Sequence, residues 1–178
     1  MKKLFSQFRL RSGLYILKQE IKKISRKNQS VSLEDAQNIG ILFTIHNETE
    51  LKEAEDLAKA LKTVNKKVQL MGFLSNKLLN IKPNSNLQLL TAEDIAWNYV
   101  PKKEKIINFV NNEFDMLINL CTEICFPLTY VTAMSKSLFK VGAYNPKQAV
   151  IFDFMIATQQ QSITGFSNEL KYYLDKIK

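Results

Sequence analysis

Residues 39–74 carry the pattern that most limits what this chain can fold into: an apolar run, a helical stripe, then a second apolar run. Residues 39–45 read as a buried strand and His46-Asn47 as a turn. From about Thr49 to Asn65, Leu51, Ala54, Leu57, Leu61 and Val64 fall on one side of a helix. Glu50, Glu53, Glu55 and Asp56 gather at its start and Lys59, Lys62, Lys66 and Lys67 at its end. The helix dipole favours that distribution, so the charges read as a solvated face and not as a binding site. Residues 68–74 form the second strand. Short connections around the helix leave a parallel βαβ unit as the solution.

The alternation continues. After the turn cluster Pro83-Asn84-Ser85-Asn86, residues 87–90 read as a third strand and residues 91–94 begin a brief helix or loop that leads to Trp97 and Tyr99. A helix over 103–112, a strand over 115–120 and a helix from Pro127 through Met134 to Phe139 follow. Residues 140–143 form a short strand, Asn145-Pro146 a turn, residues 149–156 another strand, and 162–177 a closing helix. Strands alternating with helices imply an α/β, three-layer sandwich around a mainly parallel, Rossmann-like sheet of about five or six strands. No run approaches the ~20 apolar residues of a membrane span.

The chain has 178 residues and a formal net charge of +8, and the charge is localised. Lys2, Lys3, Arg9, Arg11, Lys18, Lys22, Lys23, Arg26 and Lys27 stand against Glu20 alone in the first 28 residues, which leaves the rest neutral. Leu10, Leu14, Leu17, Ile21 and Ile24 form one helical stripe, and Arg11, Lys18, Lys22 and Arg26 fall opposite it with Phe8 and Tyr15 among them. Gly13 reads as a local break. Residues 27–30 read as a linker, dividing a basic N-terminal helix (1–30) from a single α/β domain (31–178). Arg9 and its polar neighbours interrupt any signal-peptide core, so the segment reads as a functional arm and not as a leader.

The available chemistry is thin. Five glycines, Gly13, Gly40, Gly72, Gly142 and Gly165, supply neither the dinucleotide spacing nor a phosphate loop. His46 is the sole histidine, placed at a strand end but without a partner cluster. Cys121 and Cys125, the only cysteines, fall short of the four ligands zinc takes and read as thiols of a reduced, cytoplasmic compartment. Ser135 lacks a nucleophile elbow. No cofactor or metal is expected. Trp97 and Tyr99 beside Lys102, Lys103 and Lys105 read either as a lid on the core or as a stacking platform for bases.

Residues 113–120 (Glu-Phe-Asp-Met-Leu-Ile-Asn-Leu) and 126–142, from Phe126-Pro-Leu-Thr-Tyr to Lys-Val-Gly142, resemble an uncharacterised bacterial family of small α/β proteins. They also resemble the strand-helix-strand of the N-terminal Rossmann-like domain in heptosyltransferase-type glycosyltransferases. The second resemblance implies a Rossmann-like core. It transfers no active-site residue, because the first strand is not followed by a glycine-rich loop.

The expected function is a non-catalytic RNA-binding accessory protein, associated with ribosomes. It would contact ribosomal RNA, and potentially ribosomal proteins, through Lys2, Lys3, Arg9, Arg11, Lys18, Lys22, Lys23, Arg26, Lys27, Phe8 and Tyr15. Clustered cations displace condensed counterions, and aromatic faces suit irregular RNA. Two alternatives share the same sequence: attachment to an anionic membrane surface through Leu4, Phe5 and Phe8, or a small sugar-transferase-like enzyme.

Overall fold

The structure, a computed structural model, describes residues 2–62, 66–75, 79 and 81–177, without the side chains of Lys2 and Lys3. Helix α1 (Lys2–Ile21) precedes β1 (Asn38–Ile45). Ile39, Ile41, Phe43 and Ile45 of β1 enter one apolar cluster while Leu42 enters another. A strand buried on both faces needs a helix layer on each side.

Helix α2 (Glu48–Leu61) begins where the Asn47 side chain accepts from the Glu50 amide, and it buries Ala54, Leu57 and Leu61. Val64 and the expected last turn to Asn65 lie outside the described residues. Strand β2 (Lys67–Leu74) pairs in parallel with β1. The βαβ unit is therefore present.

Strand β3 (Leu87–Leu90), helix α3 (Lys103–Val110), strand β4 (Met116–Asn119), helix α4 (Phe126–Met134), strands β5 (Phe139–Ala143) and β6 (Phe154–Ile156), and helix α5 (Ile163–Leu174) complete the domain. Among the described residues, six strands form one parallel sheet in the order β3-β2-β1-β4-β5-β6. Helices α2 and α5 cover one face of the sheet; α1, α3 and α4 cover the other. This is the three-layer Rossmann-like sandwich. The chain reverses direction across the sheet between β1 and β4, the place where open α/β sheets leave a crevice at their carboxyl edge.

Among the described residues, two boundaries differ from the sequence reading by more than three residues. The expected strand over 149–156 is confined to Phe154–Ile156. Asn145 accepts from the Lys147 amide and opens a short 3-10 turn, Pro146–Gln148, after which Ile151 and Phe152 bury themselves without strand pairing. Their apolar character serves a buried loop. Helix α4 stops at Met134 rather than approaching Phe139, because Ser135 turns out of the helix and its hydroxyl accepts from the Ser137 amide. Among the described residues, no helix is long and apolar enough to cross a membrane.

Candidate functional site

Helix α1 lies on α4, and its contact face is not the one its leucines suggest. Gly13 and Leu17 are buried, and Ile16, Ile21 and Ile24 are partly buried, whereas Leu10 and Leu14 remain exposed. Gly13 is the point of closest approach. A Cβ there would overlap the Asn98 carbonyl oxygen and sit 2.9 Å from Cε1 of Phe126. The glycine is thus a packing device and α1 runs unbroken through it.

At ~100° per residue, Phe8, Arg11, Tyr15, Lys18 and Lys22 form a stripe on the side of α1 opposite Gly13 and Leu17. All five are exposed, Phe8 and Tyr15 by 61% and 66%. Cations and aromatic rings therefore alternate on one outward face. Phe8 also stacks on Trp97, ring centres 5.9 Å apart and 22° from parallel, so the aromatic surface continues onto the 96–100 turn. Trp97 is 54% exposed and does not close the core.

The remaining expected contacts divide. Lys23 is exposed and pairs with Glu20 at 2.6 Å, and Lys27 is exposed beyond the helix. The side chains of Lys2 and Lys3 lie outside the described residues. Arg9 faces inward: its Nε donates to the Trp97 carbonyl and its guanidinium lies 4.3 Å from the Tyr99 ring centre. Tyr99 holds that ring from a left-handed backbone, φ 66°, unusual for a bulky residue.

Arg26 is also an anchor. Its guanidinium pairs with Asp153 at 2.5 Å and donates to the carbonyls of Ser137 and Leu138 at 3.2 and 3.1 Å. Asp153 Oδ2 accepts from the Lys140 amide, and the buried Lys140 Nζ donates to the Ala133 carbonyl near the end of α4. The sequence gives no local sign of this network, since Asp153 is 127 residues from Arg26.

Burial, helped by the nearby Arg26 charge and opposed by Asp153, lowers the Lys140 amine to about 7. Its unfolded value is that of an ordinary lysine, so from pH 7 to about 10 the unfolded chain holds a proton the folded one has released. Stability should therefore rise with pH across this window, by a few kcal/mol at most. Urea melts at pH 6, 7, 8 and 9 will show the rise, and Lys140→Met will flatten it.

Beneath the inner side of α1 lies a cleft of about 940 Å³ at the carboxyl edge of the sheet. Thr44 near the end of β1 and His46 just after it, Cys121 and Cys125 after β4, and Gln159 to Gln161 after β6 line it, with Arg9 and Tyr99 above. His46, just before α2, is held by Glu50 of that helix's first turn: its amide donates to Glu50 Oε2 at 2.6 Å, and Nδ1 lies 3.0 Å from the same oxygen. Among the described residues, no cluster of three or more His, Cys, Asp or Glu could hold a metal ion.

A family model described as "Family of unknown function (DUF6913)" matches residues 9–177. That match agrees with the family likeness read from residues 113–142. No curated protein matches the chain. Among solved structures, the chain is similar to Escherichia coli heptosyltransferase WaaC with ADP-2-deoxy-2-fluoro heptose, at 13% identity and a TM-score of 0.49. The likeness covers 79% of this chain and 49% of that one, so the chain spans about half the length of the enzyme.

Proposed function

For a chain that belongs to the family of unknown function DUF6913, we propose RNA binding, with ribosomal RNA as the target and the outer face of α1 as the contact. One observation carries this reading: Phe8, Arg11, Tyr15, Lys18 and Lys22 are exposed together opposite the face that docks on α4. Cations at this spacing replace counterions condensed on phosphates, which yields binding that weakens steeply with salt. Aromatic rings between them stack on unpaired bases, at ~1 to 3 kcal/mol each. The body acts as the mount. Gly13 sets the helix close on α4, and Arg26 fastens the segment behind it to the strand edge.

The test measures binding to purified ribosomal subunits and to a ribosomal RNA fragment over a range of salt. Replacing Arg11, Lys18 and Lys22 together with Ala should lower the slope of log K against log salt by about two to three, as expected for three lost phosphate contacts. Replacing Phe8 and Tyr15 with Ala should weaken binding and leave the slope in place. Thermal melts will check that these exposed substitutions spare the fold. Exposed Leu4, Phe5 and Leu14 on the same helix supply the competing reading, a membrane surface. Binding to phosphatidylserine vesicles with no salt-dependent binding to RNA would replace the proposal with that one.

A further inference from the structure

The two cysteines share a short loop and one cleft. Cys121 follows β4 and Cys125 is the N-cap residue of α4, with Thr122, Glu123 and Ile124 between them. Both are unbridged, partly accessible and part of the lining of the carboxyl-edge cleft. The loop is braced from below: the Cys121 amide donates to Asn119 Oδ1 at 3.0 Å, and Asn119 Nδ2 donates to the buried Thr132 hydroxyl. Each of the two thiols shifts the ionisation of the other, Cys121 upwards and Cys125 downwards, as groups facing each other across one short loop do.

We infer that Cys121 and Cys125 form a thiol–disulfide exchange pair in this cleft, acting on small thiols and their disulfides. Cys125 is the attacking sulfur. It stands at the amino end of α4, where the helix dipole and unsatisfied amides favour an anion. Donation from Cys121 lowers the Cys125 thiol below its ordinary value against the opposing effect of burial, and the Leu128 amide adds to this. Cys121, as the donor and with its own burial, is held well above the ordinary thiol value. The asymmetry assigns one nucleophile and one resolving thiol.

The exchange balances with a disulfide RS–SR as oxidant. The Cys125 thiolate attacks one sulfur, the S–S bond breaks, and RS⁻ leaves carrying the electron pair. The Cys121 proton passes to that thiolate, giving RSH. The Cys121 sulfur then attacks the Cys125 sulfur of the mixed disulfide and expels the second RS⁻, which takes up the proton Cys125 had given to solvent. Two protein thiols are oxidised and one disulfide is reduced to two thiols. The bond would close a loop of five residues between β4 and α4, in the cleft that Arg9 and His46 also line. This reading is independent of the outer face of α1, and neither stands on the other.

The test uses the reduced full-length protein with oxidised glutathione at pH 7, followed by intact-mass and peptide mass spectrometry. The expected product has lost two hydrogens, with Cys121 joined to Cys125 and no lasting glutathione adduct. Cys121→Ser should trap one glutathione on Cys125, and Cys125→Ser should react at least tenfold more slowly. Iodoacetamide labelling of the wild-type protein provides a readout without substitution: Cys125 should label first, and at a lower pH than Cys121. Failure of the wild-type disulfide to form at any glutathione ratio would overturn the inference. So would labelling that begins at Cys121.

Discussion

Asp153→Ala is expected to cost about 3 kcal/mol, the low end of the penalty for removing one partner of a buried ion pair, because Arg26 and Asp153 are part-buried. In a chain of this length that corresponds to a fall in Tm of roughly 10 °C. The reason lies in what the substitution leaves behind. Arg26 would keep the Ser137 and Leu138 carbonyls but lose its counter-charge, and the Lys140 amide would lose its acceptor. The Arg26 charge would then have no anion beside it, and the nearby Lys140 amine, already lowered to about 7, would be driven further towards its neutral form. Arg26→Met should cost less, because Asp153 retains the Lys140 amide and the repulsion on the Lys140 amine disappears. The double variant Arg26→Met with Asp153→Leu should be milder than Asp153→Ala alone, since no buried charge is stranded. Denaturant melts of the three variants decide the matter. Equal and additive losses would mean the pair is solvated and contributes little. The Asp153→Ala variant also bears on the pH profile, since losing the one group that raises the Lys140 value should push that amine lower still.

The elements built on local period were readable in the sequence, and the contacts made across the sheet were not. Residues 39–74 show both the period of a doubly buried strand and the 3.6-residue stripe of α2, so the βαβ unit followed from spacing alone. The docking face of α1 did not. Leu10 and Leu14 carry the apolar signal but stand exposed, while the helix approaches α4 at Gly13, a residue with no side chain to register in a hydrophobic pattern. A single glycine within an otherwise helical run was the available clue, and it has two readings, a break or a close approach. Arg26 belongs with the phosphate-facing cations by composition, yet its partner comes from the loop before β6. The cleft arises where the ends of β1, β2 and β4 and the segment after β6 converge, which no local segment encodes. The rule that ligands gather where strand order reverses indicates the region once the topology is known.

Gly13→Ala separates a docked α1 from a free one, because the two cases predict changes of opposite sign. In a free, exposed helix the substitution stabilises, since alanine surpasses glycine by ~1 kcal/mol in helix interiors. In the docked helix the new methyl would overlap the Asn98 carbonyl oxygen and press on the Phe126 ring. The backbone oxygen has little freedom to yield, so α1 must shift away from α4. Overpacking of this kind costs ~1 to 3 kcal/mol, and Gly13→Val should cost more. Only Gly13 and Leu17 of α1 are fully buried among its described side chains, so a displacement of this size loosens much of the apolar contact the helix makes. The segment would then hang from Arg26 and from the Gln29 amide, which donates to the Leu138 carbonyl. Undocking removes the rigid presentation of Phe8, Arg11, Tyr15, Lys18 and Lys22 without removing any of them. RNA affinity should therefore fall while its salt slope stays close to the wild-type value, which distinguishes lost orientation from lost charge. Protection of the α1 amides from hydrogen exchange should fall in parallel, with the sheet amides unchanged. A higher Tm for Gly13→Ala would sink the docked arrangement, and with it the mount on which the outward stripe depends.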